Sequence, residues 1–214
     1  MSLAIVTAIY DNYDALKELP ELDGDVDAVC VTDDVDLTSA TWRIIYEPRH
    51  GVHPNRAAKV PKMRPWRYTD ATASVWIDAA YRVTNPKFVH EAITYAHPIA
   101  QFVHPWRDCI YDEATVSIQM GKYGSEPINQ QAARYLAHGH PAHWGLWATG
   151  VIARQHTNRV KAFGDAWLGE CATWSYQDQV SEPYALRLHE LWPTPLPGTH
   201  LENAWLAYEA SGRH

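Results

Sequence analysis

The chain alternates short apolar runs with charged or turn-forming stretches. Residues 3–9 (LAIVTAI) are a continuous apolar run of strand length that stops at Tyr10-Asp11-Asn12. Residues 27–32 (DAVCVT) form a second run closed by Asp33-Asp34, and residues 42–46 a third. Residues 74–77 (SVWI) form a fourth that ends at Asp78, and residues 100–103 a fifth that ends at His104-Pro105. Short runs without polar alternation predict strands buried on both faces, as in a parallel sheet covered by helices.

Helical segments are predicted between and after these runs. Residues 15–19 read as a short helix or turn, and residues 55–67 as a helix broken or kinked near Pro61. Residues 85–95 carry Asn85 as a cap and Pro86 in the first turn. Further helices are expected over 112–120, 129–137 (closed by Gly139), 159–174 and 179–190. Residues 150–153 read as a late strand, and the Pro-rich stretch 192–198 as extended chain. This order implies an α/β fold with helices flanking the sheet. The expected division is one domain over residues 1–190, with a C-terminal extension over 191–214 packing on it. Ligands of open α/β sheets bind outside the carboxyl ends of the strands. Asp11, Asp33 and Asp34 are therefore expected along one rim.

Composition narrows the classes. A net charge of −7 argues against wrapping a nucleic-acid backbone through bulk charge. Ten tryptophans suit a core, and also suit pockets where a flat apolar face stacks while an N–H bonds. Cys30, Cys109 and Cys171 contain no CxxC pair, which disfavours a disulfide framework or a structural zinc site and fits a reducing cytoplasm. The N-terminal apolar run lacks a basic flank and reads as a strand, and no run is long enough to span a bilayer. The segment from His138 to His143 contains Gly139 and Pro141 and reads as an exposed loop. No HExxH, GxSxG, P-loop or GxGxxG pattern occurs, which removes the commonest zinc and serine hydrolases, P-loop enzymes and dinucleotide-binding dehydrogenases.

Several constellations can carry chemistry. Arg56, Lys59, Lys62, Arg64 and Arg67 place five cations just before the strand that ends at Asp78. Arg56 and Lys59 are three apart and share a helical face, as a diphosphate-binding pair requires. Asp78 at a strand end is a natural ligand for a hard divalent cation on phosphate oxygens, and equally a natural turn former. Arg107 and Glu113, downstream of His104, have the spacing of a pair that shapes a pocket. The Asp178-Gln179 pair before a helix offers one charged acceptor and one two-way hydrogen bonder for sugar hydroxyls. Asp178 is also placed to act as a general base or simply to cap the helix.

In order along the chain these residues resemble the TOD1/MUCI70 glycosyltransferase-like family, formerly a numbered domain of unknown function. The matching pieces are Tyr10-Asp11-Asn12-Tyr13-Asp14, Thr32-Asp33, Arg56-x-x-Lys59-x-x-Lys62 and Trp76-Ile77-Asp78. They continue with His104-Pro105-x-Arg107 through Glu113-Ala114, Arg154-x-His156 and Asp178-Gln179, so the resemblance covers residues 4–185. It implies a GT-A-like fold, with a Rossmann-like mixed sheet holding a nucleoside diphosphate sugar. Asp11 and Asp33 would then lie near the nucleoside, and Arg56, Lys59 and Lys62 at the diphosphate. Asp78 would stand in the position of a divalent cation (Mn or Mg); with Ala80 in place of the family's second polar ligand, that ion is held with a distant group such as His200, is bound weakly, or is not needed. His104, Arg107 and Glu113 would build the donor-sugar pocket, and Arg154, His156, Asp178 and Gln179 would face sugar or acceptor. Two departures stand out: Ala79-Ala80 replaces the family's Gly-Asn after the strand-end Asp, and Gln177 replaces the Arg before Asp178.

The activity implied is transfer of a sugar to a hydroxyl acceptor, a glycan or another molecule, by a cytoplasmic bacterial or bacteriophage protein. Two alternatives stand beside it. One is a catalytically inactive nucleotide- or glycan-binding module. The other is a phage-type enzyme acting on modified DNA bases, which stack on aromatic rings when flipped.

Overall fold

The structure is a computed structural model that describes residues 1–210. Residues 211–214, the end of the expected C-terminal extension, lie outside the described residues. The strands are β1 (Leu3–Ile9), β2 (Val26–Thr32), β3 (Arg43–Tyr46), β4 (Ala73–Ile77), β5 (Tyr81–Val83), β6 (Ile99–Val103), β7 (Trp147–Gln155), β8 (Thr194–Pro195) and β9 (Leu206–Tyr208). The helices are α1 (Pro54–Ala57), α2 (Lys59–Met63), α3 (Phe88–Tyr95), α4 (Ile110–Gln119), α5 (Ile128–Ala137), α6 (Asn158–Thr173) and α7 (Asp178–Leu188). A 3₁₀ turn follows α2 at Pro65–Arg67.

Seven strands form one mixed sheet in the order β3-β2-β1-β4-β7-β6-β8, and β5 pairs with β9 in a separate two-stranded sheet. In the large sheet β7 alone runs against its neighbours β4 and β6. Periodicity cannot reveal this reversal, because a strand covered on both faces looks equally apolar in either direction. Alternation along β1 divides the core. Leu3, Ile5 and Ile9 pack with Val75, Ile77 and Phe88 on the face covered by α3. Ala4 and Val6 pack with Trp76, Phe163 and Trp167 on the face covered by α2, α6 and α7. A smaller cluster joins Ile110 of α4, Ile128 and Tyr135 of α5, and Tyr184 of α7.

The sheet is the mixed, helix-flanked sheet expected, but several local readings change. Residues 15–19 form no helix. The helix expected over 55–67 is broken, as expected, but at Ala58, into two short helices. Pro61 is the third residue of α2 and does not kink it, because the first-turn N–H that proline lacks would have no helical partner anyway. The helix expected from Asn85 starts at Phe88, since the Asn85 side chain instead accepts the Lys87 N–H in the preceding turn. The late strand is longer than the four residues expected and occupies a central position. His140, assigned to an exposed loop, is buried against Tyr184 and Trp144.

The described residues beyond 190 are integral to the packing. β8 extends the main sheet beside β6, and Leu196, Trp205 and Leu206 enter the α3-side core. No helix among the described residues is long and apolar enough to cross a membrane.

Candidate functional site

A cavity of about 610 Å³ opens where β1 and β4 end and β7 begins. Its floor is ionic. Asp178, the first residue of α7, accepts from Lys59 Nζ at 2.8 Å and Lys62 Nζ at 2.7 Å. The Thr149 hydroxyl donates to the other Asp178 oxygen at 3.1 Å. Burial alone would raise this carboxyl, yet Lys59 and Lys62 hold it well below the usual carboxylate range. Burial alone would lower Lys62, but Asp178 and Asp78 reverse this and hold the ammonium above the usual lysine range. Asp178 and Lys62 are therefore both charged in the folded protein near neutral pH.

The helix that carries the two lysines is held from two sides. Arg154 of β7 donates to the Lys62 carbonyl at 2.7 Å. Gly164 of α6 lies so close that a Cβ there would meet the Met63 carbonyl oxygen at 2.3 Å. Absence of a side chain at residue 164 is thus what lets α2 pack on α6.

Asp78 sits beside this floor. One carboxylate oxygen accepts Trp76 Nε1 at 2.7 Å and lies 3.4 Å from Lys62 Nζ. The side chain is 43% exposed, so Asp78 is the floor carboxylate most open to a ligand. Its backbone N–H bonds the Gly150 carbonyl, and a Cβ at residue 150 would come within 3.2 Å of the second Asp78 oxygen. His200 lines the same cavity, its Nδ1 buried without a hydrogen-bond partner among the described residues. Burial pulls the His200 imidazole down, against the opposing pull of Asp78.

One wall is built from the strand–helix turn after β6. Arg107 Nε donates to Glu113 at 2.6 Å, while the other Glu113 oxygen accepts from Gln177 Nε2 at 2.9 Å. His104 Nδ1 accepts the backbone N–H groups of Trp106 and Arg107, which leaves the ring proton on Nε2. Burial, aided by Arg107, pulls His104 down to about 4, so the ring is neutral at physiological pH. Gln179 lines the cavity, and among the described residues its amide makes one long hydrogen bond, to the Trp147 carbonyl at 3.4 Å.

Nine of the residues singled out from the sequence thus share one cavity: Lys59, Lys62, Asp78, His104, Arg107, Glu113, Asp178, Gln179 and His200. Asp11, Asp33, Arg56, Arg154 and His156, to which the resemblance also gives a role, do not line it, nor do Asp34, Arg64 and Arg67. Arg56 clasps the carbonyls of Cys171 and Trp174 at the end of α6 and pairs with Glu126 at 2.6 Å, where a cation complements the helix dipole. Asp11 and Asp33 sit on the outer rim, bridged by Arg49. Arg154 is fully buried behind the floor. His156 is fixed between the Ala71 carbonyl and the Ser74 hydroxyl, and burial pulls it down to about 4. Arg154 thus supports the floor from behind through the Lys62 carbonyl, and neither Arg154 nor His156 lines the cavity.

Sequence reasoning missed the aromatic lining. Tyr10, Tyr13, Trp106, Tyr123, Tyr176 and Tyr208 all border the cavity. Tyr10, Tyr13 and Trp106 lie inside stretches already singled out and Tyr176 directly precedes one, so their signal was proximity to charged candidates. Tyr123 and Tyr208 arrive through tertiary contacts alone.

A family model described as TOD1/MUCI70, glycosyltransferase-like domain, matches residues 27–194. Among solved structures the chain is similar to one described as a WbbM bifunctional glycosyltransferase without ligand, with a TM-score of 0.50 and 12% identity. That match covers 92% of this chain and 39% of the other, so the chain spans well under half of it. At this identity the likeness is one of fold. A search of curated proteins found no match.

Proposed function

The chain belongs to the TOD1/MUCI70 glycosyltransferase-like family, and from that premise we propose that it moves a sugar from a nucleoside diphosphate donor to a hydroxyl acceptor. The observation that carries this reading is the pair of ammonium groups, Lys59 and Lys62, fixed by Asp178 at the strand-end cavity. Sugar transfer places positive charge on the anomeric carbon and negative charge on the leaving diphosphate. Preorganised cations at the leaving group lower that barrier without reorganising during the reaction.

Asp178 serves here as the counter-ion that aligns the two lysines. A carboxyl held so far down is a poor proton acceptor, so the general-base role is not assigned to it. Gln179, whose amide makes one long hydrogen bond among the described residues, is suited to sugar hydroxyls. The Arg107–Glu113 pair and neutral His104 shape the sugar-binding wall.

The residues present fit a divalent cation modestly. Asp78 offers its less engaged oxygen and His200 an Nδ1 without a hydrogen-bond partner among the described residues, both in the cavity. Phosphate oxygens and water commonly complete such a shell. The cation, when bound, would add neutralising charge at the diphosphate. A cytoplasmic setting suits the three free, buried cysteines.

The test is calorimetric titration with UDP, GDP, CDP, ADP and dTDP, with and without Mn²⁺, followed by release of nucleoside diphosphate from the matching donor sugars. One nucleotide is expected to bind, and Lys59→Ala is expected to weaken it at least tenfold. Binding without turnover would favour the inactive-module alternative. No binding by any of the five would remove the donor-site reading.

A further inference from the structure

A second group of potential ligands lies outside the cavity, where no reading of the family pattern places one. Cys109 caps the start of α4, Asp112 sits in its first turn, and His143 belongs to the loop before β7. Their ligating atoms all lie within 4.8 Å of one another. Among the described residues these three form the sole group of three or more His, Cys, Asp or Glu side chains that meets this spacing. None of the three lines the cavity.

Three features make the group more than a chance cluster. Among the described residues neither the Cys109 sulfur, which makes no cap bond to α4, nor the Asp112 carboxylate is held in a side-chain hydrogen bond, so both can turn to a ligand. His143 is fixed by Asp108, whose carboxylate lies 2.7 Å from Nδ1. A carboxylate on one ring nitrogen orients the other toward a metal and raises its basicity, the usual outer support of a ligating histidine. His143 also keeps a left-handed backbone (φ 54°), a conformation uncommon for residues other than glycine.

We propose that Cys109, Asp112 and His143 bind a zinc-class divalent cation, with water in the fourth position. A thiolate, an imidazole and a carboxylate select a borderline-soft ion over Mg²⁺ or Ca²⁺. Zinc bonds of about 2.0–2.3 Å require the donors to close by roughly an ångström. Asp112 and His143 are exposed and free to move that far, whereas Cys109 is buried and acts as the fixed point. The ion would staple the loop bearing Arg107 to the loop that leads into β7. Two backbone bonds already join these segments, Gly145 N–H to the Asp108 carbonyl and His104 N–H to the Leu146 carbonyl. Occupancy would stiffen the cavity wall formed by His104, Arg107 and Glu113 without touching the substrate.

The experiment is an anaerobic titration of the reduced, full-length protein with Co²⁺, read by absorption, then back-titration with Zn²⁺. One equivalent is expected to give a near-ultraviolet thiolate-to-cobalt band that Zn²⁺ abolishes. Cys109→Ser should remove the band. His143→Ala, at an exposed position, should weaken Co²⁺ binding about 100-fold, and Asp108→Asn about tenfold. The band separates this site from Asp78 and His200, which supply no sulfur, and the readout does not depend on nucleotide binding or turnover. Absence of the band in the native protein would overturn the proposal, as would an unchanged band in both Cys109→Ser and His143→Ala.

Discussion

Two three-membered ion clusters sit along the same edge of the sheet. On the outer rim, Arg49 bridges Asp11 and Asp33, and those side chains are 25%, 58% and 17% exposed. On the cavity floor, Asp178 bridges Lys59 and Lys62, and those side chains are 7%, 13% and 4% exposed. The chemistry is the same and the charge signs are inverted, but the solvent differs. Water screens the rim, where an ion pair contributes little. The floor has lost most of its hydration, so each charge there depends on its partner, and loss of one partner strands the other. A protein gains little stability from such a buried arrangement compared with apolar packing. Its presence at a strand-end cavity is better explained by a need for fixed positive charge.

The contrast can be broken most forcefully at Lys62. Lys62→Met should cost about 3–5 kcal/mol in denaturant unfolding, because it leaves Asp178 under-neutralised in a buried site. A loss below about 1 kcal/mol would mean that the floor behaves like the rim. Gly164→Ala should come next, at about 1–3 kcal/mol, since its Cβ would press on the Met63 carbonyl and shift α2. The same variant should weaken nucleoside diphosphate binding through displaced lysines, and unchanged affinity would show that α2 can move without moving the site.

A pH experiment sharpens the comparison from behind the floor. Glu182 is fully buried, accepts from Gln101 Nε2 at 2.8 Å, and is pushed up to about 8 chiefly by burial. The unfolded chain ionises this group near 4.5, its ordinary value. The folded state thus binds the extra proton between those two values, and stability from Glu182 is present below about 4.5 and lost as pH rises toward about 8. Glu182→Gln should remove that decline, gaining on the native protein by on the order of 1 kcal/mol per pH unit across the window. Parallel stability profiles for the two proteins would show that Glu182 is ionised in the fold. The smallest effect is expected on the rim, where Arg49→Ala should cost less than about 1 kcal/mol and shrink further in high salt. A larger, salt-insensitive loss would erase the distinction between the two clusters.

Much of the molecule was legible in advance, and the reason differs by element. β1 matches its apolar run residue for residue, because a strand covered on both faces must be apolar throughout. Lys59, Lys62, Asp78, Asp178 and Gln179 were legible as charged or amide groups next to strand ends and helix starts. Arg56 and Arg154 were legible as chemistry-bearing residues, yet their side chains turn away from the cavity. A one-dimensional pattern gives a residue's neighbours in sequence but not the direction its side chain takes in space.

The sequence by itself determined the order of the main apolar strands and the longer helices, the burial of the central strands on both faces and the set of charged residues at the sheet's edge. These follow from short-range rules of periodicity, capping and strand termination. Tertiary structure decided which of those charges meet. It brought Lys59 to Asp178 across 119 positions, reversed β7 in the middle of the sheet, and set Cys109 beside His143. Such contacts depend on how helices pack over a twisted sheet and on where a missing side chain, as at Gly164, lets two backbones approach. That geometry is a property of the whole packed chain and is not carried by any one segment.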